Sequence, residues 1–151
     1  MMISFQVRPA AASDSQSLTD LSRAFTVEDG REFSEANAAA VASLCDGRPD
    51  AVALLAVAGE ASTILGYAVL TLGYSIEHGG VDGFIDEIYV IPAMRNQGIG
   101  LALMDRAETE ARLRSVKVLH LEAEKRNEKA QALYRSLGYY SQQRVLMSKP
   151  L

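Results

Sequence analysis

Hydrophobic and polar positions change period several times along the chain, and each change marks an element. Ile3 to Arg8 alternates and stops at Pro9, which predicts a short strand. Ser13 and Asp14 can cap a helix carrying Leu18, Leu21 and Phe25. After the polar stretch Thr26 to Arg31, Ser34 opens a second helix with Ala38, Val41, Ala42 and Cys45 on one face, stopped by Gly47 and Pro49. The apolar runs Ala51 to Ala58 and Ile64 to Tyr74 read as two strands of a hairpin. Gly79, Gly80 and Gly83 predict a loop, and Phe84 to Ile91 a further strand ended by Pro92. A helix then runs from about Gly98 to Arg114; Ile99, Leu103, Ala107 and Ala111 form its core stripe, with Glu108, Glu110 and Arg112 off it. Val116 to Leu121 is the next strand. Asn127 caps a last helix ending at Gly138, and Tyr139 to Met147 predicts a final strand. The order β-α-α-β-β-β-α-β-α-β is an α/β (α+β) fold, a central mixed, mostly antiparallel sheet flanked by helices.

Composition narrows the picture. The length of 151 residues suits one domain spanning 1–151, and 48% apolar with 23% charged residues excludes a disordered chain. No apolar run approaches the ~20 residues of a membrane span, and the start, Met1 to Phe5, lacks the basic flank and apolar stretch of a secretion signal. Cys45 is the sole cysteine, so no internal disulfide forms, and a cytoplasmic protein is expected. A net charge of −4 argues against nucleic acid as a partner and is compatible with a cationic amine. No cluster of His, Cys and acids has metal-ligand spacing, so no metal is expected; His78 is expected to be exposed in the glycine loop, and His120 faces either side of its strand.

The most informative stretch is Val90-Ile91-Pro92-Ala93-Met94-Arg95-Asn96-Gln97-Gly98-Ile99-Gly100, where a strand ends and a helix begins at two glycines. The first amides of a helix have no internal partner and carry the positive end of its dipole, which suits a diphosphate. Glycine at 98 and 100 removes Cβ atoms that would hold phosphates away, and Arg95 adds a positive charge. Other phosphate loops fit less well. A Walker loop needs a closing Gly-Lys-Ser/Thr, and the dinucleotide fingerprint needs glycine where Leu103 stands.

Arg95-x-x-Gly98-x-Gly100 after Val-x-Pro resembles the cofactor signature of the GNAT superfamily of N-acetyltransferases. Asn127 to Tyr139, with Ala130, Tyr134 and Gly138, is similar to that superfamily's second signature. The resemblance implies acetyl-CoA as cosubstrate. The backbone around Ile88 and Val90 then pairs with the pantetheine arm, and the amides of Arg95, Asn96, Gln97, Gly98, Ile99 and Gly100 cradle the pyrophosphate. Asn127 and Ala130 lie near the cofactor, and Tyr134 lies near the thioester sulfur. It also implies a homodimer, for which the strand at 139–147 offers an edge.

The chemistry this implies is direct attack by a primary amine of a small molecule, polyamine-like or amino-acid-like, or of a protein. An alkyl amine arrives protonated, so its proton needs an acceptor and the departing thiolate needs a donor. Tyr134 is the candidate acid. Asp86 and Glu87 are the candidate bases, since carboxylates in the apolar strand Phe84 to Val90 are costly to bury. The acidic pair is similar to one in polyamine-type acetyltransferases, which favours Asp86 as base with Glu87 binding the amine; a water chain could also serve. In a regular strand only one of the two faces the cleft, and a bulge would change this. Phe25, Glu28, Asp29, Glu32, Phe33, Tyr74 and Glu77 populate the acceptor side; acids beside aromatics suit a cationic amine, and equally an ordinary surface with a few core aromatics. A non-catalytic acyl-CoA sensor and a nucleotide-binding oxidoreductase are the alternatives.

Overall fold

The computed structural model describes residues 3–151, in two compact units, one ending at Leu121 and the other spanning Glu122–Leu151. The first begins with β1 (Gln6–Pro9), then α1 (Ser15–Glu28) and α2 (Glu35–Asp46). Asp14 occupies the N-cap of α1 and Ser34 that of α2, where the Ser34 hydroxyl accepts from the Asn37 amide. The apolar runs become β2 (Ala51–Ala58) and β3 (Thr63–Ser75), paired antiparallel, followed by β4 (Gly80–Val90), α3 (Ile99–Leu113) and β5 (Leu119–Leu121). The sheet order is β1-β2-β3-β4-β5, antiparallel except for the parallel pair β4 and β5.

β2 is buried from Ala53 to Val57 because both sheet faces are covered. On one face Ala53, Leu55, Val57, Tyr67, Val69 and Tyr89 pack with Leu18 of α1 and Val41 and Cys45 of α2. α3 packs on β2, β3 and β4, and Ile99, Leu103, Ala107 and Ala111 form its buried stripe, as their spacing predicts.

Several boundaries differ from expectation, beginning with β1, which starts at Gln6 rather than Ile3 and takes in Pro9 instead of stopping before it. β4 begins at Gly80, so the chain turns within 76–79, and Gly83 sits inside the strand. A Cβ at 83 would lie 3.0 Å from Leu119 Cδ1 and 3.2 Å from Leu70 Cδ1, so this glycine serves close packing rather than a loop. β5 starts at Leu119 because Val116 still donates to the Ala111 carbonyl at the end of α3 (3.0 Å). The expected strand at 139–147 does not form; α4 (Glu128–Ser136) is the only regular element of the second unit among the described residues. Alternate positions in 139–147 mix tyrosine and aliphatic residues with Ser141, Gln142, Gln143 and Arg144, so neither side offers a continuous apolar face. Among the described residues, no helix is long and apolar enough to cross a membrane.

Candidate active site

β4 carries one extra residue. Val69 pairs with Glu87 and Leu70 with Ile85, so Asp86 is the bulged position. The bulge places Asp86 in solvent and turns Glu87 onto the face of Tyr67, Val69 and Tyr89. The Tyr67 hydroxyl, on a fully buried side chain, donates to Glu87 Oε2 at 2.7 Å. Burial pushes the Glu87 carboxyl above its ordinary value, more than the Tyr67 bond and the Arg31 charge pull it down. Burial, with the Glu87 carboxylate beside it, pushes the Tyr67 phenol well up, so it stays a donor. Tyr67 was not singled out in the sequence; its signal was a lone phenol in the aliphatic run Ile64 to Leu72.

Beside this pair, the Tyr89 hydroxyl donates to Glu28 Oε2 at 2.9 Å, and Phe25 packs on the Tyr89 ring at 5.2 Å. Arg95 donates through Nη2 to Glu28 Oε1 (2.6 Å) and through Nε to the Val90 carbonyl (3.0 Å), with its guanidinium 5.5 Å from the Tyr89 ring centre. The Arg95 side chain, expected to meet phosphate, is thus engaged with α1 and β4.

The outer edge of β4 is set by hydrogen-bond phase. The Ile91 amide donates to Leu65 O (3.0 Å). In an antiparallel pair bonded positions alternate, so Tyr89 and Glu87 bond toward β3 while the backbone of Ile88 and Val90 points away. On that side β5 pairs only with Gly83 to Ile85, so among the described residues the edge from Asp86 to Val90 has no ladder partner. Pro92–Met94 forms one 3₁₀ turn, and Arg95 N donates to Pro92 O. Asn96 and Gly98 take positive φ, 61° and 80°, which carries the chain into α3. The first helical bond there is from Ala102 N to Gly98 O, leaving Ile99 and Gly100 amides without an intrahelical partner. Gln97 Nε2 reaches Met94 Sδ (4.0 Å), and the Ile99 side chain is buried, so residue 99 can offer only its amide. A Cβ at Gly100 would meet nothing closer than Val90 Cγ2 at 3.9 Å, and one at Gly98 would meet nothing within 4 Å. These two glycines keep open a space that no protein atom fills, which fits a diphosphate against the amides.

The remaining predicted residues lie in the second unit. Asn127 caps α4, its Oδ1 accepting from Ala130 N (3.1 Å). Tyr134 is half-buried, its ring 6.1 Å from that of Tyr139, and burial raises its phenol above the ordinary value. In the first unit, His78 is half-buried rather than exposed. Its ring lies 5.3 Å from His120, whose Nε2 is 3.6 Å from Asp82 Oδ2.

Known structures share this architecture. An integron cassette protein from the mobile metagenome of Cole Harbour salt marsh is 31% identical, with a TM-score of 0.82 over 97% of this chain and 90% of its own. A putative acetyltransferase from Arthrobacter sp. FB24 is 24% identical, with a TM-score of 0.81 over 97% and 96%. AAC(6')-Iy, solved with the bisubstrate analogue CoA-S-monomethyl-acetylneamine, shares the fold at 14% identity, with a TM-score of 0.83 over 98% and 99%. No curated protein matches the chain by sequence. The acetyltransferase (GNAT) family pattern matches residues 16–139, which takes in nearly all of α1 and every later element; the chain belongs to that family of N-acetyltransferases, which draw their acetyl group from acetyl-CoA.

Proposed function

We propose that this enzyme acetylates a primary amine by direct attack, with Glu87 as the base that receives the amine proton. The observation carrying this reading is the bulge at Asp86, which turns a carboxylate into a half-buried place beside Tyr67. Among the described residues, no cation forms an ion pair with Glu87. A carboxyl raised toward neutrality is a better proton acceptor than an ordinary one. Asp86, exposed one residue before, adds negative charge that favours an incoming ammonium. The roles are therefore the reverse of those the polyamine-type resemblance implies.

Acetyl-CoA supplies an activated thioester. The amides of Gly98, Ile99 and Gly100 would hold its diphosphate at the positive end of α3, with Arg95, Asn96 and Gln97 shaping the turn. The outward backbone of Ile88 and Val90 offers donors and acceptors to the pantetheine amides, and a backbone amide there suits the developing oxyanion. Tyr134, kept protonated by its raised pKa, is proposed as the acid for the departing sulfur, with Asn127 and Ala130 forming the start of its helix. The CoA analogue seen in AAC(6')-Iy supports the choice of cosubstrate. The single buried cysteine supports a reducing, cytoplasmic setting, and the exposed Tyr140, Val145, Leu146 and Met147 support a homodimer.

Thiol release from acetyl-CoA across a panel of primary amines tests the reading. Saturable release with at least one amine is expected; CoA binding with no release from any amine would make the protein a sensor. For the cofactor turn, Gly100→Val is more telling than Gly98→Val. Position 98 needs φ +80° whatever binds there, whereas a side chain at 100 begins in open space. Gly100→Val should weaken CoA binding at least tenfold while the melting temperature holds.

A further inference from the structure

We infer that Glu28 is a positioning residue for acetyl transfer, a clasp tying the end of α1 to both the acceptor face and the cofactor turn. The inference rests on the reading of residues 95–100 as the diphosphate turn. Glu28 is the last residue of α1, where the helix dipole places negative charge and disfavours a carboxylate. A residue that breaks the local rule needs a compensating partner elsewhere. Here there are two, one on each oxygen: Arg95 on Oε1 and Tyr89 on Oε2. The Arg95 and Tyr89 bonds hold the Glu28 carboxyl below its ordinary value, so it is ionised at neutral pH.

Its partners are strategic. Tyr89 lies on the face of Glu87, two residues further along β4, and packs against Phe25 and Tyr67. Arg95 starts the turn into α3, and its Nε bond to Val90 O fixes it against the same strand. Its flat guanidinium stacks near Tyr89 while bonding in two directions, which a lysine could not reproduce. One carboxylate thus sets the hydroxyl of an acceptor-face tyrosine and the register of the diphosphate turn. Arg95 acts on the cofactor through the shape of its loop, and Glu28 acts on it through Arg95.

A double-mutant cycle with Glu28→Ala and Arg95→Ala, read as CoA affinity by calorimetry and as melting temperature, tests this. Both side chains are a little over 40% exposed, so the pair is worth an exposed-pair energy, and Glu28→Ala should weaken CoA binding about three- to fivefold. The double variant should bind no worse than Arg95→Ala alone. Glu28→Gln, which keeps an acceptor for Arg95, should recover part of the loss. The loss should shrink at high ionic strength. Losses in CoA affinity that add, or a Glu28→Ala variant that melts lower yet binds CoA like the parent, would overturn the clasp. A parent protein that binds no CoA would overturn the functional reading, and the clasp with it, and is distinguishable from both.

Discussion

Two glutamates reach the interior of this enzyme, and their surroundings drive them in opposite directions. Glu110, on α3, is 6% exposed. Arg106 donates to its Oε1 through Nε (3.1 Å) and Nη2 (2.9 Å), and Arg114 Nη1 donates to Oε2. Burial acts to raise its pKa, but the two arginines outweigh burial and hold it below the ordinary value. Glu87 has no arginine bound; its one side-chain donor is the neutral phenol of Tyr67, and burial wins. The comparison separates two uses of a buried carboxylate. Saturated by fixed cations, it is part of the framework, and Arg106 also reaches the Val7 carbonyl of β1 (3.4 Å). Left with a neutral donor on a face beside an unpaired strand edge, it can still take a proton.

Glu87→Gln should produce the largest change. It keeps the shape and a hydrogen-bond acceptor for Tyr67 but removes the basic carboxylate, so kcat should fall by about 10²–10³, the scale of general-base catalysis. The protein should melt no lower at neutral pH. The folded pKa of Glu87 lies above the unfolded one, so its contribution to stability is present at low pH and is lost as pH rises from the ordinary glutamate value of 4.5 through the raised folded value. Glutamine removes that loss. In kcat/KM, the acid limb set by Glu87 should vanish in the variant. Full activity with an unchanged acid limb would move the base to Asp86 or to water.

Glu110→Ala should do the converse, a fall in stability of about 1–3 kcal/mol, kept in that range because both arginines are a third exposed and regain water. Turnover per folded molecule should stay within about twofold, since no step is assigned to this residue. Here the folded pKa is depressed, so the stabilisation is present above the ordinary value of 4.5 and lost as pH falls through the folded value. Melting temperature followed against pH should fall less steeply in acid for Glu110→Gln than for the parent. A turnover loss as deep as that of Glu87→Gln would erase the distinction between the two sites.

Much of this was legible in the chain, and the exceptions share a cause. The core stripe of α3, the Asn127 cap and the glycine turn follow from local periodicity and end chemistry, which a sequence shows directly. Spacing alone puts Glu110 off the stripe, yet it is buried. The signal for its burial lay in Arg106 and Arg114, one turn to either side, but i,i+4 pairs usually mark an exposed face. The bulge at Asp86 is a matter of register between two strands, and nothing within Phe84 to Val90 encodes it. The Arg95 side chain goes to Glu28, 67 positions away in the chain, a choice made by tertiary packing alone. The strand expected at 139–147 shows the same limit from the other side: β-prone residues without a ladder partner do not make a strand.

The smallest and sharpest test of the comparison is Tyr67→Phe. The phenol bond is the largest influence lowering the Glu87 pKa, working against burial. Removing the hydroxyl leaves burial unopposed by that donor, so the Glu87 pKa rises further. A hydrogen bond to a carboxylate favours its charged form, so losing it moves the acid limb of kcat/KM upward. Well above that limb Glu87 is ionised again, so the gap between variant and parent should narrow as pH rises. A constant reduction at every pH would mean that Tyr67 acts by packing alone. A limb that stays in place would mean that the phenol does not control the acid, and Glu87 would lose the feature that sets it apart from Glu110.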